Sequence, residues 1–361
     1  MSVQLGLQIS RLNVQFSAHL KQPLEAYMSN FPKVKILRAP ERQGLIKARL
    51  RGTAVAKGPV LTFLDSHIEC MEGWLEPLLD RIAINPTNVI CPVIEITNAI
   101  TFEIVPLNSL QIGGFDWTLN FKWTSVSESE KKKRLDPSEP VRSPTMAGGL
   151  FAIDKAFFLK LGMYDPEFDI WGAENLELSF KTWMCGGTLE IIPCSHVSHI
   201  FREDSPIKGP PGHDYVFINS VRLAKVWMDD YAKFYFARSD KNHEGKYGDI
   251  SDRVKLRENL KCNSFEWYLE NVYPDLELPD DGIAYGEVKH TKVNQKIFQF
   301  DLNFRSEILA TVAINVWMEV KLWMRTWSFT IVIMQVDINI GIIKTGSLNV
   351  MTLVLHLLGM T

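Results

Sequence analysis

A chain of 361 residues has room for one large domain or two ordinary ones, and 46% apolar with 22% charged residues is the composition of a globular protein with a sizeable core. A formal charge of −3 and a pI near 6.3 exclude a general electrostatic attraction to nucleic acid. Any polyanion would have to be met by a local basic cluster; Lys131-Lys132-Lys133-Arg134 is one, but Ser, Glu and Asp flank it and it reads as a solvated loop.

The five cysteines, Cys70, Cys91, Cys185, Cys194 and Cys262, form no C-x-x-C zinc pattern, and their odd number leaves at least one unpaired. On arithmetic alone the redox compartment stays open. Residues 1–20 contain no apolar core between basic residues and a small-residue cleavage site, so no secretory signal or amino-terminal anchor is expected there.

In chain order, residues 20–27 suit a short helix that Pro32 stops before a strand at 34–37. Residues 44–56 carry apolar residues at helical spacing and strong helix formers, ended by Lys57-Gly58-Pro59. A strand at 60–64 follows. This strand-helix-strand unit predicts a right-handed parallel crossover with its two strands as neighbours in one sheet. The strand 60–64 ends in Asp65-Ser66-His67. Period-2 geometry puts Asp65 and His67 on one side of an extended segment, where one divalent ion could meet both; the competing reading is a plain turn after a strand. Ligand sites of open α/β sheets lie at such carboxyl ends.

A helix over 72–82 and a strand over 89–94 come next, then an aromatic-rich stretch, 101–125, that reads as a β-hairpin. Its Phe115, Trp117, Phe121 and Trp123 suit either core or the floor of a groove. Gly148 and Gly149 stand just before an apolar strand, where missing side chains let a ligand touch backbone or simply make a tight turn. Trp171-Gly172-Ala173-Glu174-Asn175 precedes a helix over 176–184; a carboxylate there serves either catalysis or the amino-terminal helix dipole. After a strand at 188–192, His196 or His199 can complete a three-ligand set with Asp65 and His67, of mixed oxygen and nitrogen donors suited to manganese. Residues 203–215 form a Gly/Pro-rich loop of the lid type, and 222–236 and 253–271 read as helices. Beyond about residue 295 apolar runs appear with little turn chemistry, and Asp337 and Lys344 keep them shorter than a spanning helix.

Several of these pieces occur together and in this order in one family. Arg42-Gln43-Gly44-Leu45-Ile46-Lys47-Ala48-Arg49, Leu64-Asp65-Ser66-His67 with Trp74-Leu75-Glu76-Pro77-Leu78-Leu79, the segment from Pro144 to Phe151, Trp171-Gly172-Ala173-Glu174-Asn175-Leu176-Glu177 and Cys194 to Arg202 resemble the polypeptide N-acetylgalactosaminyltransferases. The resemblance covers about residues 20–295. It implies a GT-A glycosyltransferase fold, a Rossmann-like mixed α/β sheet flanked by helices, and transfer of GalNAc from UDP-GalNAc to Ser or Thr of polypeptide or glycopeptide acceptors. That reaction proceeds with retention by same-face attack, the leaving phosphate helping to take the acceptor proton, and it starts mucin-type O-glycosylation.

The resemblance further implies that Asp65, His67 and His199 hold Mn²⁺, with His196 a neighbour and not a ligand. Glu174, Trp171 and Asp65 form the catalytic set. Arg42, Asp65, Ser66, Gly148, Gly149, Trp171 and Arg202 contact the donor, Arg202 reaching the diphosphate. Cys185 pairs with Cys262, and Cys194 with a cysteine upstream of residue 1. The family works in the Golgi lumen as type II membrane proteins, although the anchor and stem are not in this sequence.

The sequence also departs from the family. Its uridine-binding strands, with a Phe-His-Asn-Glu-like motif and an Asp-Asp pair, are not found before Leu20, which predicts an exposed sheet edge unless part of 7–16 pairs as a substitute strand. Ile207 stands where relatives commonly carry Tyr, and Ala173 where they carry Gly. Residues 286–295 resemble the opening of the lectin domain, but no Gln-x-Trp repeat and no cysteine follows, which argues against a β-trefoil. The expected organisation is a non-family segment at 1–19, a GT-A catalytic domain at 20–285 without its first strands, and a lectin remnant with an unassigned apolar tail at 286–361. Two functions follow: a manganese-dependent transferase, or an inactive relative that binds a glycoprotein or another transferase. A nucleic-acid partner is not expected.

Overall fold

The computed structural model describes residues 6–9, 22–39, 43–201, 212–239, 244–279, 336–345 and 348–357, the first and the last two of these segments as backbone. The chain divides into two units, Met1–Asp275 and Leu276–Thr361.

The first unit holds a mixed sheet whose strand order is β3 (Val60–Phe63), β10 (Phe151–Asp154), β5 (Asn88–Thr97), β11 (Thr188–Ile200) and β4 (Ile68–Cys70). Short strands β6 (Ile104–Val105) and β9 (Val141–Arg142) join β5 and β11. Only β5 and β11 run parallel; β3 with β10, β10 with β5 and β11 with β4 are antiparallel. Strand β5 is buried at every position except Ile96, as expected of a central strand covered on both faces. Helix α3 (Glu76–Ile84) covers one region of the sheet by packing Leu78 and Ile82 on Ile90, Ala152 and Ile192. Helix α6 (Glu174–Met184) is buried along almost its whole length. Its Phe180 lies 5.1 Å from each of Phe115, Phe265 and Tyr268, in tilted or edge-on contacts that aromatic rings prefer.

Around this frame lie α1 (Gln22–Met28), α2 (Gly44–Val55), the hairpin β7 (Gln111–Phe115) and β8 (Phe121–Ser125), α4 (Glu128–Lys133) and α5 (Lys155–Lys160). The helices α7 (Tyr215–Trp227), α8 (Ala232–Ala237), α9 (Ser251–Asn259) and α10 (Phe265–Asn271) follow. In the second unit β12 (Val336–Thr345) pairs antiparallel with β13 (Leu348–Leu357). The expected lectin remnant lies largely outside the described residues. Among the described residues no helix is long and apolar enough to cross a membrane.

Three expectations change. The strand at 34–37, observed as β2 (Lys35–Arg38), does not neighbour β3; it pairs in parallel with β1 (Gly6–Ile9), from Gly6 opposite Lys35 to Ile9 opposite Arg38. A crossover helix sets the direction of its two strands but not their adjacency. Here β3 pairs with β10 on one edge only, and β2 pairs instead with β1 in a separate two-stranded sheet. Part of the amino-terminal segment does pair with β2 as a substitute strand, while β3 ends its own sheet with one edge unpaired among the described residues. The basic run at 131–134 is not a loop: Lys131–Lys133 end α4, whose Ser127 caps it by accepting the Glu130 N–H at 3.2 Å. The run remains solvated, with Lys131 paired to Glu128 at 2.7 Å. In the aromatic hairpin, Phe115 and Trp117 are core, whereas Trp123 is 37% exposed.

Two buried ion pairs lie among the helices, one tying α7 to the segment before α6 and one within α6. Arg222 of α7 binds Asp165 at 2.8 Å, and Lys181 of α6 binds Glu177 at 2.8 Å, with all four side chains almost wholly buried. Burial pushes the Lys181 ammonium down to about 8, opposed by Glu177. The end of α6 is fixed covalently: Cys185 and Cys262 form a disulfide with a Cα separation of 4.2 Å, beside an Asn263 N–H bond to the Met184 carbonyl at 2.7 Å. Opening this bridge, which spans a sequence separation of 77, by Cys185→Ser with Cys262→Ser lowers the unfolding free energy by about 4 kcal/mol in the chain-entropy model. Urea titration of the double variant checks this through its transition midpoint.

Candidate metal and donor site

The site is made by a short link. Strands β3 and β4 sit at opposite ends of the strand order, so residues 64–67 must cross the carboxyl end of the sheet. Asp65 and His67 are carried on that crossing. Strand β4 then returns against β11, with Ile68 opposite His199 and the Ile200 N–H bonded to the His67 carbonyl at 3.0 Å. One ligand atom from each of Asp65, His67 and His199 lies within 4.8 Å of the others. His199 Nε2 stands 3.5 Å from Asp65 Oδ2, and the two imidazoles lie 4.4 Å apart.

His196 takes the other side. Residues three apart on a strand face opposite ways, and His196 Nδ1 lies 2.8 Å from Glu95 Oε1, whose other oxygen accepts the Leu107 N–H at 2.6 Å. A bulge sets this phase: residues 193–195 stand between Ile192, opposite Pro92, and His196, opposite Val93. Pro92 has no N–H for the ladder, which makes this the point where register can slip.

The donor set suits a hard or borderline divalent cation: one carboxylate oxygen and two imidazole nitrogens. His199 Nδ1 is buried without a hydrogen-bond partner among the described residues, as fits an imidazole whose role is ligation. Burial alone would raise the Asp65 pKa, but the His199 hydrogen bond and the charges of Arg49 and His67 outweigh it and hold the carboxyl below its ordinary value.

Arg49, quoted above only as part of a motif, is the neighbour that sequence reasoning missed. It is 7% exposed, on the inward face of α2 with Ile46 and Thr53. Its Nη1 donates to the Gly148 carbonyl at 2.6 Å, and its Nη2 to the Gly149 carbonyl at 3.0 Å and to Asp65 Oδ1 at 3.3 Å. The spacing 46, 49, 53 on a single helical face was the available signal. Both glycines are required by space. A Cβ on Gly149 would lie 2.3 Å from Asp65 Oδ2, and one on Gly148, at φ +86°, 2.5 Å from Asn175 Cβ.

The loop before α6 presents Trp171, 42% exposed, on strained backbone: Ile170, Gly172 and Ala173 have φ of +53°, +102° and +68°. Buried Asn219 of α7 pins it, accepting the Asp169 N–H at 3.0 Å and donating to the carbonyls of Asp169, Trp171 and Gly172 at 2.9, 3.3 and 3.0 Å. Glu174 is buried and accepts the Gly172 N–H at 2.8 Å, so it serves the start of α6 whatever else it does. Burial raises its pKa, and the opposing pull of Arg49 does not cancel the rise. Ser66 is exposed between Asp65 and His67. Arg42 and Arg202 lie outside the described residues.

Two outcomes follow from this geometry. Ala173→Gly relieves a left-handed backbone angle that costs an L-residue about 1 kcal/mol, offset in part by the freer unfolded chain, so the net gain is on the order of 0.5 kcal/mol and a small rise in Tm. A glutamate with a raised folded pKa contributes stability below its unfolded pKa that is lost as pH rises through the folded value. Glu174→Gln removes that loss, so between about pH 4 and pH 8 the variant gains Tm relative to the parent, as thermal melts across this range will record.

Residues 17–158 match the family described as Glycosyl transferase family 2, and residues 133–203 the N-terminal domain of galactosyltransferase. Polypeptide N-acetylgalactosaminyltransferase 5 of Caenorhabditis elegans is 60% identical over 278 residues, 76% of this chain and 44% of that protein. The human enzyme numbered 14 in the same series is 51% identical over 260 residues, 72% of this chain and 47% of that protein. The crystal structure of GalNAc-T7 with UDP, GalNAc and Mn²⁺ superposes with a TM-score of 0.70 at 39% identity, covering 76% of this chain and 53% of that one. The chain spans about half the length of the curated relatives it matches. By the identity of its aligned residues and by its GT-A fold, this chain belongs to the polypeptide N-acetylgalactosaminyltransferase family.

Proposed function

We propose that this chain carries the catalytic machinery of a manganese-dependent, retaining transferase that moves GalNAc from UDP-GalNAc to Ser or Thr hydroxyls of polypeptides. The observation that carries the proposal is the convergence of Asp65, His67 and His199 on one point at the carboxyl end of the sheet. These three would hold Mn²⁺, which when bound supplies positive charge against the growing negative charge of the departing UDP. The crystal structure of GalNAc-T7 with UDP, GalNAc and Mn²⁺ supports this choice of ion and donor.

The chain's own residues do the rest. Asp65 stays ionised because His199, Arg49 and His67 favour its charged form, so it is ready as a ligand near neutral pH. Gly148 and Gly149 bring backbone rather than side chains to the donor sugar, and Glu174, fixed by the Gly172 N–H, accepts a sugar hydroxyl. Trp171 covers the donor with an exposed ring held by the Asn219 bonds. In the transfer the bond from the anomeric carbon to the UDP oxygen breaks, the acceptor oxygen bonds the same face, and the hydroxyl proton passes to the departing phosphate. Arg42 and Arg202 would bind the nucleotide in the same scheme. The Cys185–Cys262 bridge supports an oxidising secretory compartment, the Golgi lumen in this family.

The test is to incubate the protein with UDP-GalNAc, Mn²⁺ and a Ser/Thr-containing peptide, and to follow peptide mass. The expected result is addition of one N-acetylhexosamine, abolished by a chelator. Asp65→Ala, His67→Ala and His199→Ala each lower the rate by more than about 10-fold while circular dichroism stays unchanged. Retention of most activity by all three variants contradicts a shared metal site. Stabilisation by UDP and Mn²⁺ without transfer supports the second reading, a relative that binds but does not catalyse.

A further inference from the structure

We infer that Arg49 is a positioning residue that divides the two oxygens of Asp65, holding Oδ1 so that Oδ2 is presented to the metal group, and that ties this ligand to the glycine turn. The inference rests on the metal-site reading above. Asp65 Oδ1 receives Arg49 Nη2 at 3.3 Å, whereas Oδ2 faces His199 Nε2 at 3.5 Å and lies over the bare Cα of Gly149. The same guanidinium donates to the carbonyls of Gly148 and Gly149, and its Nη1 reaches the Tyr164 hydroxyl at 3.5 Å. Its carbon lies 5.7 Å from the centre of the Phe63 ring, at the end of β3.

A buried guanidinium satisfied only for packing could face any set of carbonyls. Here the hydrogen-bond acceptors of Arg49, apart from the Tyr164 hydroxyl, belong to the link 64–67 and the turn 148–149, the two segments that meet at the site. A planar fork of five donors can span such acceptors with fixed angles, and a lysine ammonium, though equally charged, cannot. Second-sphere groups that orient a ligating carboxylate typically affect metal affinity by about 10-fold to 100-fold. Charge alone works the other way, since a cation beside a ligand repels a second cation. The two contributions can therefore be separated by substitution.

The experiment measures Mn²⁺ binding to the full chain without nucleotide, from the electron paramagnetic resonance signal of free Mn²⁺, for the parent, Arg49→Lys, Arg49→Met and Asp65→Asn. Melting temperatures without metal are recorded alongside. The expected result is a Kd raised at least about 10-fold in both Arg49 variants, because both lose the fork. An Arg49→Lys Kd within about twofold of the parent overturns the inference. So does tighter binding by Arg49→Met with Arg49→Lys unchanged, which would mean that only charge matters. Failure of both Arg49 variants to fold assigns Arg49 to the core and overturns it equally. If Asp65→Asn binds Mn²⁺ as the parent does, the metal-site reading itself fails, a result distinct from the others.

Discussion

The contact on which the site depends is the close pass of the link 64–67 over Gly149. The link joins strands at opposite ends of the sheet order and has only four residues in which to do so, so it lies flat across the sheet end. Any side chain at 149 would occupy the place of Asp65 Oδ2. Because the link is held low, the first residue of β4 falls opposite His199, and two ligands from one segment meet a third from a strand more than a hundred residues later. The candidate metal group thus follows from sheet topology and one missing Cβ.

Charge is then distributed around that crossing so that little of it stays uncompensated. Asp65 lies between Arg49 and the two histidines, Glu174 is buried within the field of Arg49, Asp165 is paired with Arg222 of α7, and Glu177 is paired with Lys181 of its own helix and with Arg253 of α9. Breaking one partner of such a buried pair costs about 3–5 kcal/mol, far more than an exposed pair contributes. The helices that back the site are therefore held in place by groups that tolerate little rearrangement. Asn219 extends this to the Trp171 loop, whose left-handed residues would relax without its hydrogen bonds.

Much of this was legible in the sequence, and the remainder has physical reasons. Asp65 and His67 could be paired from period-2 spacing at a strand end, and the helices α2, α3 and α6 from apolar periodicity. The choice of His199 over His196 came from family resemblance, although parity along β11 would decide it once β4, and with it the link that carries Asp65 and His67, is known to pair opposite His199. Arg49 and Asn219 were not legible as site residues because a polar side chain on a helix is by default read as solvated, and only tertiary structure shows that these two point inward. The adjacency of β2 and β3 was misread because a strand-helix-strand pattern sets the relative direction of its strands but does not say which strands are neighbours; β2 joins β1 in a separate sheet and β3 stays at the end of its own. The φ of Ala173 is likewise a property of the packed loop and not of the residue, since alanine seldom takes it unaided.

The central claim, that Asp65, His67 and His199 hold one divalent cation, is tested most directly by anomalous diffraction at the manganese edge from crystals grown with Mn²⁺ and UDP. The account predicts a single strong peak within bonding distance of all three side chains, at the carboxyl end of β3. A peak bound elsewhere, with these three side chains turned away from one another or bonded to other groups, would contradict it.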